Sequence, residues 1–175
     1  MLICKAKDQD IDAIENGYLE LLLYEKNHIN WSNWALGIYP TRITAECAFQ
    51  SNTLFVLKDN NLICASMILN QLQANEYSEI EWRYPAEDEE VLVIHTLCVP
   101  PSMAGKGYGK AMVEFALEQA NKMKCHVIRL DTYAGNEPAA TLYKRFGFQY
   151  SGTADVLLQG LIPEKQVFFE KSLEL

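Results

Sequence analysis

The most informative stretch of this chain is VLVIHTLCVPPSMAGKGYGKAMVEFALEQANK, residues 91–122. Residues 91–99 are apolar at almost every position, as in a central strand that is covered on both faces of its sheet. Residues 104–110 are rich in glycine, and residues 111–122 have the amphipathic spacing of a helix. A strand that leads through a glycine loop into a helix presents free N–H groups and the positive end of the helix dipole. The stretch therefore predicts a phosphate-binding loop.

Composition is that of a globular protein. The chain has 175 residues, of which 49% are hydrophobic and 22% charged, and we predict a single domain over residues 1–175. No run approaches the ~20 apolar residues of a membrane span, and the first residues lack a signal peptide, so we expect a cytoplasmic protein without a membrane partner. A formal net charge of −8 argues against a nucleic-acid partner, which would need a basic patch.

The cysteines predict neither a disulfide framework nor a metal site. There are five, they are scattered, and no two of them form a C-x-x-C pair. The three histidines do not complete a zinc-binding spacing either. We therefore predict no metal and expect the cysteines to be reduced residues of the core.

The rest of the chain alternates between strands and helices. Asp8 or Asp10 is a candidate N-cap for a first helix whose apolar positions run from Ile11 to Tyr24. Residues 59–61, Asp-Asn-Asn, are a hairpin turn, whereas residues 71–90 are polar, acidic and ambiguous. The other predicted strands are residues 2–6, 53–58, 62–69, 126–130, 148–151 and 165–171, and the other predicted helices are residues 41–49, 108–123 and 137–145.

Two common phosphate-binding motifs fit the glycine loop poorly. A P-loop would place Ala104 at its first glycine and Ala111 at its metal-binding hydroxyl. A dinucleotide fingerprint matches Gly105 and Gly107 but meets Lys110 at its third glycine, although Asp131 lies at a suitable distance for the acidic residue. A nucleotide-dependent oxidoreductase therefore stays a minor alternative.

The third interpretation is an acyl-coenzyme A loop. Residues 104–109 resemble the Q/R-x-x-G-x-G/A loop of the GNAT superfamily of N-acetyltransferases. The resemblance extends upstream to residues 95–99 and downstream to residues 136–148, which follow the pattern N-x-x-A-x-x-x-Y-x-x-x-G-F. Three elements in the family's order are much more specific than the loop alone.

The resemblance implies both a fold and an activity. The implied fold is α/β (α+β), with a mixed, mostly antiparallel central sheet of about six to seven strands, splayed central strands and flanking helices. The implied activity moves an acetyl group from acetyl-CoA, as co-substrate, to a primary amine of a small molecule or peptide by direct attack. A non-catalytic acyl-CoA-binding or sensing module is the alternative, and a homodimer is a candidate assembly.

The resemblance also implies which residues hold the coenzyme. Leu97 and Val99, with Cys98 between them, would offer backbone N–H groups to the pantetheine arm and the carbonyl oxygen. Ala104 stands where the family has Arg or Gln, so the cradle consists mainly of backbone. The remaining implied contacts are Gly105, Lys106, Gly107, Tyr108, Gly109, Lys110, Asn136, Ala139 and Tyr143.

Tyr143 matches the family's general acid. A phenol has an ordinary pKa of about 10, against about 8.5 for a thiol, so a positioned hydroxyl can protonate a departing thiolate. The structural alternative for Tyr143 is a tyrosine of the hydrophobic core. The structural alternative for Asn136 is a helix N-cap that binds no ligand.

The general base is less well defined. Strand alternation places His95 on one face with Leu97, where it would face the cleft with a near-neutral pKa, although a buried, hydrogen-bonded histidine is the alternative. Glu79 and Glu81 are rival bases, and Cys98 on the other face is not expected to form an acyl-enzyme. Glu81 is also a candidate anchor for a cationic amine. The candidate walls of the acceptor pocket are Trp31, Trp34, Tyr39, Trp82 and Tyr84.

Overall fold

A computed structural model of the chain describes residues 1–173, which form seven strands and four helices of a mixed α/β fold. The strands are β1 (Leu2–Lys5), β2 (Leu54–Asp59), β3 (Leu62–Asn70), β4 (Val91–Cys98), β5 (Val127–Tyr133), β6 (Gln149–Leu158) and β7 (Ile162–Ser172). The helices are α1 (Ile11–Asn27), α2 (Arg42–Gln50), α3 (Tyr108–Lys122) and α4 (Glu137–Arg145).

The strands form one seven-stranded sheet in the order β1-β2-β3-β4-β5-β7-β6. The pairs β1–β2, β2–β3, β5–β7 and β6–β7 are antiparallel, and the pair β4–β5 is parallel. The predicted fold class, a mixed and mostly antiparallel sheet flanked by helices, is therefore confirmed.

The parallel pair β4–β5 separates early. Its pairing runs from Val91 and Val127 to Ile94 and Leu130. β5 nevertheless continues beside β7 as far as Tyr133. Since backbone groups of a strand need partners, the end of the ladder leaves polar groups of β5 open to one side. This separation is the splay of central strands that the family resemblance implies.

Close backbone contacts divide the chain into two compact units. The first unit comprises Met1–Asn30, Trp34–Leu69 and Thr96–Met112. The second unit comprises Trp31–Asn33, Asn70–His95 and Val113–Leu175. The single domain over residues 1–175 stays a prediction.

The first unit has its core around α1 and α2. Ile11, Ile14 and Tyr18 lie on one face of α1, at the spacing that the sequence predicts, and are almost fully buried. Tyr24, which was expected on the same face, is 47% exposed because it lies two positions after the buried Leu22, about 200° further around the helix, and its ring stacks on His28. The other buried members of this core are Ala6, Ala45, Ala48, Leu54, Val56, Ile68 and Cys98.

Asp10 precedes α1 but does not cap it. Its carboxylate accepts a hydrogen bond from the N–H of Lys7 at 2.9 Å and pairs with the Lys58 ammonium at 2.7 Å. No side-chain hydrogen bond caps the first turn of this helix. The candidate N-cap role of Asp10 is thus replaced by a buried ion pair with β2.

The second unit has its core under the ambiguous segment, residues 71–90. Tyr77 and Trp82 from this segment contact Phe168 of β7 edge-on, with ring centroids 5.3 and 6.2 Å away. Ile80, Val91, Val93 and Val127 complete this core. The segment therefore folds onto the sheet through its aromatic residues, while most of its acidic residues remain exposed.

β6 and β7 form one long hairpin rather than the two short strands that the sequence predicts. They pair from Gln149 and Glu170 to Leu158 and Ile162, with a register shift after Tyr150. Only alternate residues of β6 are partly buried, and many are polar, so the apolar pattern of a strand is weak over residues 152–158.

The five cysteines are free thiols, but only three of them, Cys64, Cys98 and Cys125, are buried. The prediction of a core position is wrong for Cys47, which is exposed on α2. Within residues 1–173, no three His, Cys, Asp or Glu side chains converge as metal ligands, and no helix is both long and apolar enough to cross a membrane.

Glu170 of β7 ties the aromatic segment to the sheet. Its side chain is fully buried and accepts hydrogen bonds from the backbone N–H groups of Arg83, at 2.6 Å, and Tyr84, at 3.3 Å. The hydroxyl of Ser151 donates a third, at 2.9 Å. One buried carboxylate therefore accepts three hydrogen bonds, two of them from the backbone of the segment of residues 71–90.

We predict that Glu170→Ala lowers the free energy of unfolding by about 3 kcal/mol, because it leaves a cavity in the core and removes the shared acceptor of three hydrogen bonds. Urea unfolding followed by circular dichroism measures the change. Glu118→Ala, on the exposed side of α3, is the matched control and should stay within about 0.5 kcal/mol. A loss at Glu170 no larger than that of the control would contradict this role.

Candidate active site

The glycine loop of the first unit adopts a conformation that requires glycine. Gly105 and Gly107 have φ angles of +75° and +82°, in the left-handed region. A Cβ atom placed on either of them would meet no other atom within 4 Å, so the loop has open space around it. α3 begins directly afterwards. In its first backbone hydrogen bond, the N–H of Ala111 donates to the carbonyl of Gly107 at 3.0 Å.

The loop presents a row of backbone donors. Among residues 1–173, the N–H groups of residues 105–109 donate to no protein acceptor. The first N–H groups of a helix have no acceptor within it, and they coincide with the positive end of its dipole. Such an arrangement binds phosphate oxygens.

Side chains contribute less to this loop than the backbone does. Ala104 is exposed, and its N–H donates to the carbonyl of Pro101 at 3.1 Å. The ammonium of Lys106 lies 3.7 Å from the sulfur of Met103, and Lys110 is exposed. Both lysines thus lie at the surface near the loop, where either could meet an anion.

Tyr108, a predicted coenzyme contact, anchors the start of α3. Its side chain is buried, and its hydroxyl donates to a carboxylate oxygen of Asp59 at 2.9 Å. This hydrogen bond raises the pKa of Tyr108 to about 12. The start of α3 is thereby fixed to the end of β2, a contact between residues 49 positions apart that the sequence did not indicate.

The end of β4 departs from a regular strand at Thr96. Its φ is +47°, which is rare for a β-branched residue, and its hydroxyl is hydrogen-bonded to that of Tyr39. Burial nevertheless keeps alternating, since His95 and Leu97 are half-buried while Thr96 and Cys98 are buried. That His95 and Leu97 share one face stays a prediction. The backbone contacts of Leu97 and Val99 with a coenzyme stay a prediction.

Cys98 is a core residue of the first unit. Its sulfur lies 3.9 Å from the carbonyl oxygen of Gly17, and burial raises the pKa of the thiol to about 12. A thiol in that environment stays protonated at neutral pH and is a poor nucleophile. This agrees with the prediction of no acyl-enzyme.

His95, in the second unit, does not have the near-neutral pKa that was predicted for it. Its Nε2 lies 3.0 Å from the side-chain oxygen of Asn70, to which it donates in the neutral form. Burial lowers its pKa to about 4, because a low-dielectric environment disfavours the charged imidazole. Such a group is a weak proton acceptor at neutral pH.

The two rival bases are far more exposed. Glu79 and Glu81 lie on the solvent side of the segment of residues 71–90, and no hydrogen bond or ion pair is recorded for Glu81 among the described residues. Nothing around Glu81 fixes its carboxylate toward a substrate.

Of the residues predicted to form the walls of the acceptor pocket, some pack against other side chains and others line clefts. Trp34 and Tyr39 contact each other edge-on in the first unit, with centroids 5.7 Å apart. In the second unit, Trp31 lines a cleft of about 320 Å³ along one side of α4, and Trp82 lines another of about 650 Å³. Tyr84 packs against the core of that unit.

α4 has the bounds that the sequence predicts. Asn136 caps it, since its side-chain oxygen accepts from the N–H of Ala139 at 3.2 Å. The chain leaves the helix through Gly147, whose φ is +79°. Asn136 is therefore a helix N-cap. A contact of Asn136 or Ala139 with the coenzyme stays a prediction.

Tyr143 of α4 is only 6% exposed, and its ring packs edge-on against Phe148. Its hydroxyl has no hydrogen-bond partner among residues 1–173. Burial, followed by the charge of Asp131, raises the pKa of this phenol. Tyr143 thus remains protonated over the physiological pH range, the state that a proton donor needs.

A carboxylate that interacts electrostatically with Tyr143 was not expected at this site, since the sequence suggested Asp131 only as the acidic residue of a dinucleotide site. The hydroxyl of Tyr77 donates to Asp131 at 2.7 Å. Burial raises the pKa of Asp131 to about 6, with further contributions from the charges of Glu164 and Glu76. The only sequence signal was an acidic residue directly after an apolar strand.

The predicted site residues are shared between the units. The first unit contains the glycine loop with Leu97, Cys98 and Val99. The second unit contains His95, Glu81, Asn136, Ala139 and Tyr143.

Several curated proteins are similar to part of the chain. An uncharacterized N-acetyltransferase of Methanocaldococcus jannaschii is 34% identical over 71 residues, which are 41% of this chain and 31% of that protein. The spermine/spermidine N(1)-acetyltransferase of Bacillus subtilis is 42% identical over 52 residues, 29% of this chain and 34% of that protein. The streptothricin acetyltransferase of Escherichia coli is 35% identical over 71 residues, 41% of this chain and 37% of that protein. The chain thus matches about a third of the length of these relatives.

Solved structures match over almost the whole chain. A GNAT-family acetyltransferase of Streptococcus agalactiae superposes with a TM-score of 0.78 at 19% identity, covering 99% of this chain and 96% of that one. The Salmonella typhimurium protein yncA, solved with its cofactor acetyl-CoA, gives 0.71 at 16% identity, covering 100% and 95%. At such identities the likeness establishes the fold alone.

The sequence model of the acetyltransferase (GNAT) family matches residues 22–148. This region includes the glycine loop, α4 and the Gly147-Phe148 pair that ends the signature. The chain belongs to the acetyltransferase (GNAT) family.

Proposed function

We propose that this protein is an acetyl-CoA-dependent N-acetyltransferase, which moves an acetyl group to a primary amine of a small molecule or peptide by direct attack. The observation that carries the proposal is the row of N–H groups at residues 105–109, which have no protein acceptor among the described residues. Membership of the family and the two relatives named as acetyltransferases of spermine or spermidine and of streptothricin support it.

The glycine loop is proposed to hold the pyrophosphate of the coenzyme. The free N–H groups donate to its oxygens, and the dipole of α3 favours the negative charge. Lys106 and Lys110 are close enough in sequence to add positive charge, which compensates for the missing Arg or Gln side chain at Ala104. Binding therefore depends on backbone conformation more than on side-chain identity.

Tyr143 is proposed as the general acid. As the carbon–sulfur bond breaks, negative charge accumulates on the thiolate, whose ordinary pKa is about 8.5. A buried phenol that is still protonated can donate its hydrogen to that sulfur. The unpartnered hydroxyl of Tyr143 meets this requirement.

The acceptor is proposed to be a small cationic amine or a peptide amine. Spermine, spermidine and streptothricin, which name the substrates of two relatives, carry several amino groups. A net charge of −8 favours the approach of such cations. A homodimer and a cytoplasmic location stay predictions.

An amine panel tests the function directly. Release of free coenzyme A thiol is followed for polyamines, streptothricin-like and aminoglycoside amines, amino acids and peptide N-termini. Turnover of any of these amines supports the proposal. Coenzyme binding without thiol release across the panel would instead support the non-catalytic acyl-CoA-binding module.

We predict that acetyl-CoA raises the melting temperature of the protein. A ligand at 100 times its Kd adds about 2.7 kcal/mol, or roughly 5–10 °C for a chain of this size. Differential scanning fluorimetry at millimolar acetyl-CoA measures the shift. Its absence would contradict the coenzyme role of the loop, and NADH serves as the test of the dinucleotide alternative.

Gly107→Ala should abolish most of that shift, because a Cβ atom at positive φ distorts the loop and enters the space beside its N–H groups. Gly160→Ala is the matched control, since Gly160 in the β6–β7 turn also has a positive φ, +70°, and open space around its Cα. Both variants should lose about 1 kcal/mol or more of stability without ligand. Only Gly107→Ala should lose the response to acetyl-CoA.

We predict that Tyr143→Phe lowers kcat by roughly 100-fold while the melting shift with acetyl-CoA is retained. The hydroxyl has no partner to lose, so the variant should be as stable as the wild type. Tyr150→Phe, on an exposed tyrosine of β6, is the control and should keep full activity. Equal losses of turnover and coenzyme binding in Tyr143→Phe would indicate a structural tyrosine.

A further inference from the structure

We propose that Asp131, held by the hydroxyl of Tyr77, accepts the proton of the attacking amine. The inference rests on the proposed acetyl transfer and adds its missing general base. It replaces the three bases suggested by the sequence, His95, Glu79 and Glu81, with a carboxylate of β5.

Asp131 stands at the point where the central strands part. Leu130 is the last residue of β5 that pairs with β4, and Asp131 follows it while still pairing with Phe168 of β7. The side chain is only partly buried, so a substrate amine can reach it. Among residues 1–173, Tyr77 is the only side chain recorded as donating to this carboxylate, at 2.7 Å.

An unsatisfied hydroxyl lies beside this carboxylate. Tyr143 is 6% exposed and has no hydrogen-bond partner in the described part of the chain. Its electrostatic interactions with Asp131 and with Tyr77 place the three groups together. The hydroxyl oxygen of Tyr143 itself keeps contact with solvent, since within residues 1–173 only the Tyr18 hydroxyl and the Arg129 Nε are buried without a partner. A ligand can therefore hydrogen-bond to it. In the proposed reaction, this hydroxyl is the proton donor and Asp131 is the proton acceptor.

The surrounding charges favour a cation. Glu76 and Tyr77 face Asp131 from the turn at Asn75–Glu79, Glu164 from β7 and Tyr143 from α4. Glu164 is held in place by Asn33, which donates at 3.0 Å, and by Gln166, which donates at 2.8 Å. Arg129, two residues earlier on β5, is directed elsewhere, since its guanidinium donates to Gln73 and to the carbonyl of Tyr84. Three carboxylates near one another attract an ammonium group.

The pKa values rank the candidate bases. Burial raises the pKa of Asp131 to about 6, whereas burial lowers that of His95 to about 4. A general base works best when its pKa lies near the working pH, so the directions of these two shifts favour Asp131 over His95. Glu81 is exposed and has no partner that orients it.

The proposed step balances without any further reactant. The bound ammonium first loses one proton to solvent, and the neutral amine attacks the thioester carbon. As the nitrogen–carbon bond forms and the carbon–sulfur bond breaks, one proton passes from nitrogen to Asp131. The electron pair of the broken bond stays on sulfur, which takes the proton of Tyr143. Transfer of a proton from Asp131 to the tyrosinate, directly or through water, restores both groups.

Asp131→Asn tests the proposal, because it preserves the size of the side chain and removes its basicity. We use spermidine as the probe amine, or the best substrate of the panel if spermidine is not turned over. We expect kcat/KM at pH 8 to fall by roughly 100-fold or more. Asp155→Asn, which makes the same change at an exposed position of β6, should stay within twofold of the wild type.

The pH dependence separates catalysis from structure. In the ratio of wild-type to variant kcat/KM, the ionisation of the amine substrate cancels. For Asp131→Asn, this ratio should rise with pH up to about 6 and level off above it, since the wild type has its base only when Asp131 is ionised. A ratio that does not change with pH would overturn the proposal.

Tyr77→Phe provides the second variant. The hydrogen bond from Tyr77 stabilises the ionised form of Asp131 and lowers its pKa, so removing it should move the acid limb of the rate profile to higher pH. Phe preserves the ring contacts with Trp82 and Phe168. An acid limb that stays in place in a folded Tyr77→Phe variant would contradict the proposal.

A stability measurement provides a readout that is independent of turnover. Because the folded protein holds the proton of Asp131 more tightly than the unfolded chain does, this residue lowers stability as pH rises from about 4 to about 6. Asp131→Asn should therefore melt at the wild-type temperature near pH 4 and at a higher temperature above pH 6. Its melting shift with acetyl-CoA should be retained. A lower melting temperature at pH 8 would show that the carboxylate is structural.

The outcomes separate this inference from the function on which it rests. No turnover by the wild type with any amine overturns the proposed function, and the role of Asp131 with it. Turnover by the wild type that persists in Asp131→Asn overturns the role of Asp131 alone and leaves acetyl transfer in place.

Discussion

The site depends on where the parallel pairing of β4 and β5 ends. Up to Ile94 and Leu130 the two strands satisfy each other's backbone groups, and beyond that point β5 pairs only with β7. Backbone groups without strand partners are acceptable there because ligands or water can satisfy them. Asp131, the first residue past the ladder, therefore combines a rigid backbone with an accessible side chain.

Two different structural features support the proposed reaction, one for the coenzyme and one for the amine. The proposed coenzyme site is formed by the backbone. It consists of glycines at positive φ and of the first turn of α3, which the hydrogen bond between Tyr108 and Asp59 holds in place. The proposed amine site is electrostatic. Asp131 and Glu164 are neighbouring carboxylates, and neither forms a salt bridge within residues 1–173. Burial raises the pKa of Asp131, the proposed base, to about 6, and burial also raises the pKa of Tyr143, the proposed acid, which stays protonated.

The segment of residues 71–90 shows how a polar sequence can still build a core. Its acidic residues suggested a solvated loop, yet Tyr77 and Trp82 pack on Phe168, and the buried Glu170 binds its backbone. The hydroxyl of Tyr77 then reaches Asp131. One residue thus contributes to packing with its ring and to the candidate site with its polar end.

Local patterns in the sequence were enough for the order of the elements, the turn before β3, the glycine loop and the bounds of α4. These features depend on residues within a few positions of one another, through helical spacing, turn chemistry and capping. The long β6–β7 hairpin and the positive φ of Thr96 were not predictable in this way, and a buried His95 was only one of two alternatives. Tyr77 and Asp131 are 54 positions apart, and their hydrogen bond and the raised pKa of the carboxylate exist only because the folded sheet brings them together under burial. The sequence alone predicted the glycine loop and its proposed coenzyme role, whereas the candidate base required the tertiary structure, because proton affinity is set by neighbours in space and not along the chain.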